Sequence, residues 1–263
     1  MDALLLQLTA AVYLAAGLLA GAALVVHNAS LSRAAAAALG VGVLLHGLTF
    51  TVLHNVDPTP PLTDGPTAVS FMAWIGTLTF LGLLWRYRLI GLVALIAPLS
   101  FLGVFYAALS PAAVAPPDLG DGSLAHAHVL LASAGLALLG IAGVAGAAFL
   151  AEHHRLKRKR HLEAPAPWPS LEALDRVNAL ALAVGFPLLT LGVLTGAMWV
   201  RAIHGVAWMG TAHETWCLVA WVIYAVLVTL RFGAGQGARR SALTALGGFA
   251  FASFAVIGVE LLL

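Results

Sequence analysis

Charge is scarce in this sequence. Only 9% of the 263 residues are Asp, Glu, Lys or Arg, whereas 61% are hydrophobic, and the mean hydropathy is +0.97. A soluble domain carries about 25% charged residues, so a globule surrounded by water is excluded. Cysteine is scarcer still. Cys217 stands alone, which excludes an internal disulfide, a CxxC thiol relay and a CxxCH attachment motif within the chain. The period-2 alternation of a membrane barrel is missing, as are the HxxxH and HExxH pairs of zinc sites. A net charge of +2 gives no ground for a nucleic-acid partner.

What the sequence has instead is apolar runs of spanning length. A transmembrane helix needs about 20 consecutive apolar residues. Eight stretches qualify, at 3–26, 34–54, 67–85, 89–109, 126–151, 178–200, 213–230 and 241–262. The expected fold is therefore an all-α integral membrane bundle of about eight helices, forming one transmembrane domain over residues 1–263 with the lipid bilayer as its solvent. The 27 glycines suit helices that must approach closely without a hydrophobic drive between them. Gly17-x-x-x-Gly21 in the first stretch is one such signal. That stretch lacks a basic leader and is too long for a signal-peptide core, so it reads as a retained span. Pro98 and Pro187 are expected to kink the fourth and sixth spans.

The connections alternate in charge. Arg33, Arg86, Arg88, Arg176, Arg231, Arg239, Arg240 and the run Arg155–Arg160 fall on one side. The other side holds one basic residue, Arg201, against Asp57, Asp64, Asp118, Asp121 and Glu214. The positive-inside rule makes the basic side cytoplasmic. Both termini are then outside, which in a bacterial inner membrane is the periplasmic face. The basic run reads as a topology anchor that also attracts anionic lipid. Ser170–Arg176 reads as an amphipathic stretch lying at the interface.

On this topology five of the ten histidines, His54, His126, His128, His204 and His213, gather at the outer face, and His46 lies within the membrane. The connection Met198–Trp216 also holds Trp199, Trp208 and Trp216. Tryptophan favours membrane interfaces in any case, but a belt does not account for histidines in the same loop. Two imidazoles ligating a non-covalent haem between aromatic side chains would account for both. A zinc site fits less well, because carboxylates near the histidines are few. His126 and His128 point to different sides of a helix, so one at most faces a given site. His46 and His54 share a helical face about 12 Å apart along the axis. Gly42, one turn from His46, leaves room either for a flat ligand or for a close helix crossing with His46 hydrogen-bonded to a neighbour. Glu214 could orient His213 only through the fold of the loop, since adjacent residues project apart on a helix, and it equally suits the start of the seventh span as a favourable charge.

Three passages resemble the cytochrome c assembly membrane family, which includes the CcsA-type, HemX-like and YpjD-like proteins. They are Leu174-Asp-Arg-Val-Asn with Gly185–Trp199, then His213-Glu-Thr-Trp216 with Ala220–Ala225, then Ala238-Arg-Arg-Ser-Ala. The resemblance implies a haem-handling protein that holds or delivers b-type, non-covalent haem at the outer face. Its partners would be apocytochrome c or other maturation proteins. It makes His128 an outer axial ligand, His46 a membrane ligand and Trp199–Trp216 the tryptophan-rich loop. The family's typical W-x-W-D-P-K-E-T-W reads Trp208-Met-Gly-Thr-Ala-His-Glu-Thr-Trp216 here, without Asp-Pro and with His213 in place of Lys. His213 would then be the second outer ligand, as in the HemX-like and YpjD-like branch. Arg201 is the outer cation available to a haem propionate. Such a protein is a carrier rather than a conventional enzyme. The alternatives are a haem-free scaffold or regulator of tetrapyrrole metabolism, which would tolerate loss of His46, His128 and His213, and a small-molecule transporter. The topology is checked by reporter fusions. A reporter active only outside the membrane should work when joined to either terminus and fail within 152–178, and the reverse pattern would invert the assignment.

Overall fold

The computed structural model describes residues 2–54, 62–110, 122–158 and 168–258. Asp57, Asp118, Asp121, Lys159, Arg160, His161 and Glu260 lie outside them, as does the side chain of His54. The described residues form helices throughout and contain no strand. In chain order the helices are α1 (Asp2–Val26), α2 (Ala29–His54), α3 (Gly65–Tyr87), α4 (Val93–Leu109), α5 (Gly122–Lys157), α6 (Leu171–His204), α7 (Ala212–Val228) and α8 (Ala238–Ser253). Seven helical stretches among the described residues are long and apolar enough to cross a bilayer. α8, extended by a π-helical turn over Phe254–Gly258, packs beside them as the eighth. The chain is a multi-pass membrane protein of helical-bundle architecture.

Helix ends follow local chemistry. Asp64 caps α3 by accepting from the Thr67 backbone N–H at 3.3 Å, with Pro66 in the first turn. Arg88 turns the chain out of α3 in the left-handed region at φ 56°. Ser170 caps α6 by accepting from the Ala173 N–H at 3.2 Å. Ser170–Arg176 is therefore the cap and opening turns of α6 itself. Asp175 explains why it stays in the bundle, since its carboxylate accepts from Arg231 at 2.8 Å.

α5 and α6 are the longest helices, at 36 and 34 residues, or about 54 and 51 Å at 1.5 Å per residue. Both outrun the bilayer's apolar core of about 30 Å, so they extend past the apolar runs that the sequence marks. They pack against each other more extensively than any other pair. The reason is small residues at the crossing. A Cβ on Gly135 would lie 2.5 Å from the Leu189 backbone nitrogen, and one on Gly192 2.8 Å from the Ala132 Cα. α8 meets the other flank of α5 in the same way, since a Cβ on Gly146 would stand 2.5 Å from the backbone carbonyl oxygen of Ala242. Asn178 ties the three together. Its amide donates to the Ala142 carbonyl at 2.8 Å and accepts from the Ser241 hydroxyl at 2.9 Å, all of it buried. α1 and α4 pack similarly, with Gly17 against the ring of Pro98, whereas Gly21 meets no neighbour within 4 Å among the described residues. Gly135→Val should force α5 and α6 apart at a cost of at least about 1–3 kcal/mol. Thermal unfolding in detergent checks this, and Gly21→Ala is the control expected to leave the midpoint unchanged or slightly raised.

Candidate functional site

At the end of the bundle where α5 and α7 begin and α6 finishes lies a cavity of about 440 Å3. Cofactor-sized ligands occupy cavities of about 300–1,000 Å3. Its walls are Ala68, Val69 and Met72 of α3, His128 to Leu136 of α5, Leu189 to Val200 of α6, the start of α7 and Ala252 to Val256 around the end of α8. Four residues singled out from the sequence meet here: His128, Trp199, Trp208 and His213. The lining is mostly aliphatic, so these four, with Thr211, Glu214 and Cys217, supply most of its chemistry.

His128 is half-buried, whereas His126 is exposed and turned back to its own helix, at the Gly122 carbonyl. The two face apart, as a spacing of two in a helix requires. The His128 Nδ1 donates to the Gly192 carbonyl across the α5–α6 crossing at 2.8 Å. That bond fixes the tautomer and leaves Nε2 with its lone pair. The ring is stacked on Trp199, centroids 6.2 Å apart at 27°. Gly196 gives it room, because a Cβ there would stand 2.7 Å from Nδ1.

His213 stands in the first turn of α7, with Nε2 3.6 Å from the Cys217 sulfur, a weak contact. The turn before it is built by Glu214. One carboxylate oxygen accepts the backbone N–H groups of Met209 and Gly210, each at 2.9 Å, and of Thr211 at 3.3 Å. The Thr211 hydroxyl accepts the Glu214 N–H in return at 3.2 Å, completing a capping box. Gly205 and Gly210, at φ +75° and +74°, bracket Val206–Met209 and turn this loop so that Ala207 and Trp208 line the cavity. The sequence places Glu214 at the helix start. Its grip on three amides comes from Thr211-x-x-Glu214, a capping-box spacing that the sequence displays.

The remaining residues lie elsewhere. Arg201 and His204 are exposed on the last turn of α6 and are not part of the lining. Trp216 packs against Phe251 and Phe254. His54 closes α2. His46 is fully buried between α1, α2 and α3, away from the cavity lining. Its Nδ1 pairs with the Tyr13 hydroxyl at 3.2 Å and its Nε2 with the Ser70 hydroxyl at 2.9 Å. Thr77, further along α3, is bonded to Ser100 of α4 at 2.6 Å, so buried polar bonds join four helices through α3. Phe50 stacks on the His46 ring, 5.3 Å between centroids. The space that Gly42 opens is taken by Tyr13, whose ring would lie 2.5 Å from a Cβ. Of the two arrangements the sequence allows at His46, the structure has the close crossing. Tyr13, Ser70, Thr77 and Ser100 escape a sequence reading because hydroxyls are unremarkable in a membrane helix until their partners are known.

The model of the family described as "Cytochrome C assembly protein" matches residues 62–263. The chain belongs to that family. This CcsA-like membrane protein is similar to proteins named "Cytochrome c biogenesis protein CcsA" from three sources. The Prochlorococcus marinus (strain MIT 9303) protein is 41% identical over 91 residues, 35% of this chain and 29% of that one. The Trichormus variabilis protein is 36% identical over 91 residues, 35% and 26% of the two chains. The Mesostigma viride protein is 36% identical over 89 residues, 34% and 29%. In each case the CcsA-like stretch spans less than a third of the relative's length. Among the described residues no cluster of three or more His, Cys, Asp or Glu side chains is disposed to hold a bare metal ion. Glu214→Ala should release the loop, at about 1–2 kcal/mol for the lost cap. Hydrogen exchange at 205–211 should accelerate while α5 and α6 keep their protection, and an unchanged loop would show that Glu214 does not hold it.

Proposed function

We propose that this protein handles b-type haem for cytochrome c biogenesis, holding it without covalent attachment in the cavity between α3, α5, α6, α7 and α8. The observation that carries the reading is the meeting of His128, His213, Trp199 and Trp208 around one apolar cavity. The donor set suits haem better than a bare ion. The two imidazoles would hold the iron, and the aromatic and aliphatic side chains would shelter an apolar macrocycle from water. His128 is the stronger ligand candidate, since its Nδ1 is committed to Gly192 and Nε2 remains for iron. His213 can join it by giving up its weak contact with Cys217. When bound, haem supplies its iron and its vinyl groups to partner chemistry, and the chain's own residues position it and limit its exposure to water.

The charge pattern supports an inner-membrane orientation with this cavity at the periplasmic face, where apocytochrome c would receive its haem. Arg201 and His204, exposed just beyond the cavity wall, fit the rim of such a site. His46 would serve as a membrane ligand only by surrendering its bond to Tyr13 or to Ser70, each worth about 0.5–1.5 kcal/mol net. A haem-free scaffold is the competing reading.

The visible spectrum of the detergent-purified protein, made with haem available, separates the two. A bis-histidine Soret band with sharp reduced bands is expected. It should be lost or reshaped in His128→Ala and His213→Ala and retained per folded molecule in His46→Ala. A folded protein that stays colourless with added haem removes this function and leaves the scaffold.

A further inference from the structure

The carbonyl that orients His128 serves a second side chain as well. It belongs to Gly192 on α6 and accepts the His128 Nδ1–H at 2.8 Å. Three residues further along α6, the Thr195 hydroxyl donates to the same oxygen at 3.0 Å and to the Leu191 carbonyl at 2.8 Å. A hydroxyl has one proton to give, so the two carbonyls share it. Bonding back to the carbonyl four residues earlier is an ordinary habit of threonine in a helix, and Thr9, Thr49 and Thr190 follow it at Leu5, Leu45 and Phe186. Thr195 differs because its second acceptor also holds a side chain of another helix. A carbonyl oxygen has two lone pairs, and in a helix the N–H four residues on draws on it too. Donors crowded onto one oxygen weaken one another, since each withdraws electron density that the others use. Thr195 is not part of the cavity lining, so its hydroxyl acts on the cavity only through Gly192 and His128.

We infer that Thr195 is a positioning residue for His128: its hydroxyl takes a share of the Gly192 carbonyl, weakens the bond from Nδ1 and so holds down the donor strength of Nε2 toward iron. The inference rests on the haem reading above and adds to it a control on the oxidation state of the iron. The hydrogen-bond partner of the far ring nitrogen sets the basicity of a ligating imidazole. A strongly bonded Nδ1–H moves electron density onto Nε2 and favours ferric iron, the more electron-poor state. A weakened bond shifts the balance toward ferrous iron and makes the imidazole easier to displace. The ring is stacked on Trp199, which keeps its plane in place while the strength of this one bond varies.

The test uses the full-length protein in detergent, with iron protoporphyrin IX as the probe of the loaded site. Thr195→Val keeps the shape of the side chain and removes the hydroxyl, whereas Thr195→Ser keeps the hydroxyl. The first reading needs no haem. In protein labelled with 15N-histidine, the His128 Nδ1–H resonance is identified by its loss in His128→Gln. It should move downfield in Thr195→Val and stay at its wild-type position in Thr195→Ser. With the probe bound, the midpoint potential should fall in Thr195→Val, and affinity for the ferric form should rise about threefold. Thr195→Ser should match the wild type, and the bis-histidine bands should keep their positions throughout. Thr195→Ala should give the same two shifts if valine disturbs the fold. An unmoved His128 resonance without the hydroxyl overturns the inference, as does a moved resonance with an unchanged potential, and in both cases the haem reading stands. A wild-type protein that binds no probe removes the haem reading itself, and this inference with it.

Discussion

Everything at the cavity depends on how closely α5 and α6 approach. Within a bilayer apolar side chains gain nothing by leaving lipid for one another, so helices associate through packing and a few polar bonds. Here backbone meets backbone, because Gly135 and Gly192 carry no Cβ where Leu189 and Ala132 stand. The same approach brings the His128 ring within 2.8 Å of the Gly192 carbonyl. Widening the crossing by the thickness of a methyl group would break that bond and unstack Trp199. The structural contact and the chemical site are one feature.

α3 divides the protein into two polar systems of different kinds. Ala68, Val69 and Met72 line the cavity, while Ser70 is bonded to His46, and through it to Tyr13, and Thr77 to Ser100. Both ring nitrogens of His46 are engaged by hydroxyls, and the ring is not part of the cavity lining. At His128 one nitrogen is engaged by a backbone carbonyl and the ring borders open space. A polar ring in the bilayer must find partners or a role, and these two histidines meet that demand in opposite ways. His46 joins α1, α2 and α3 through hydrogen bonds, whereas His128 holds a nitrogen in reserve.

Much of this was legible in the sequence. Apolar runs gave the helices, because a bilayer imposes one length on whatever crosses it. They did not give helix ends, since α5 and α6 continue into polar residues where capping and ion pairs, not hydropathy, decide. Histidines and tryptophans gave the composition of the site, and the i, i+2 spacing separated His126 from His128. Which residues would meet was not readable. Arg201 and His204 lie a few residues from Trp199 and Trp208 along the chain, yet the turn of α6 and the loop closed by Glu214 leave them outside the lining. Gly42 next to His46 gave two arrangements, and only the position of Tyr13, on another helix, chose between them.

The two histidines of the cavity are held with unequal firmness, and on the proposed reading that inequality matters. His128 sits on the longest helix, with its ring fixed by a backbone carbonyl and a stacked indole. His213 stands in the first turn of α7, is exposed, and its Nε2 meets the Cys217 thiol in a weak contact. Its position depends on a glycine-bracketed loop held by the carboxylate of Glu214. A storage site would gain from two rigid ligands. A site that must pass its ligand on needs one bond that is easy to break, placed where the partner arrives. The firm imidazole lies on the bundle side and the weakly held one beside the loop, so release would begin at His213 and leave the ligand oriented by His128 until transfer.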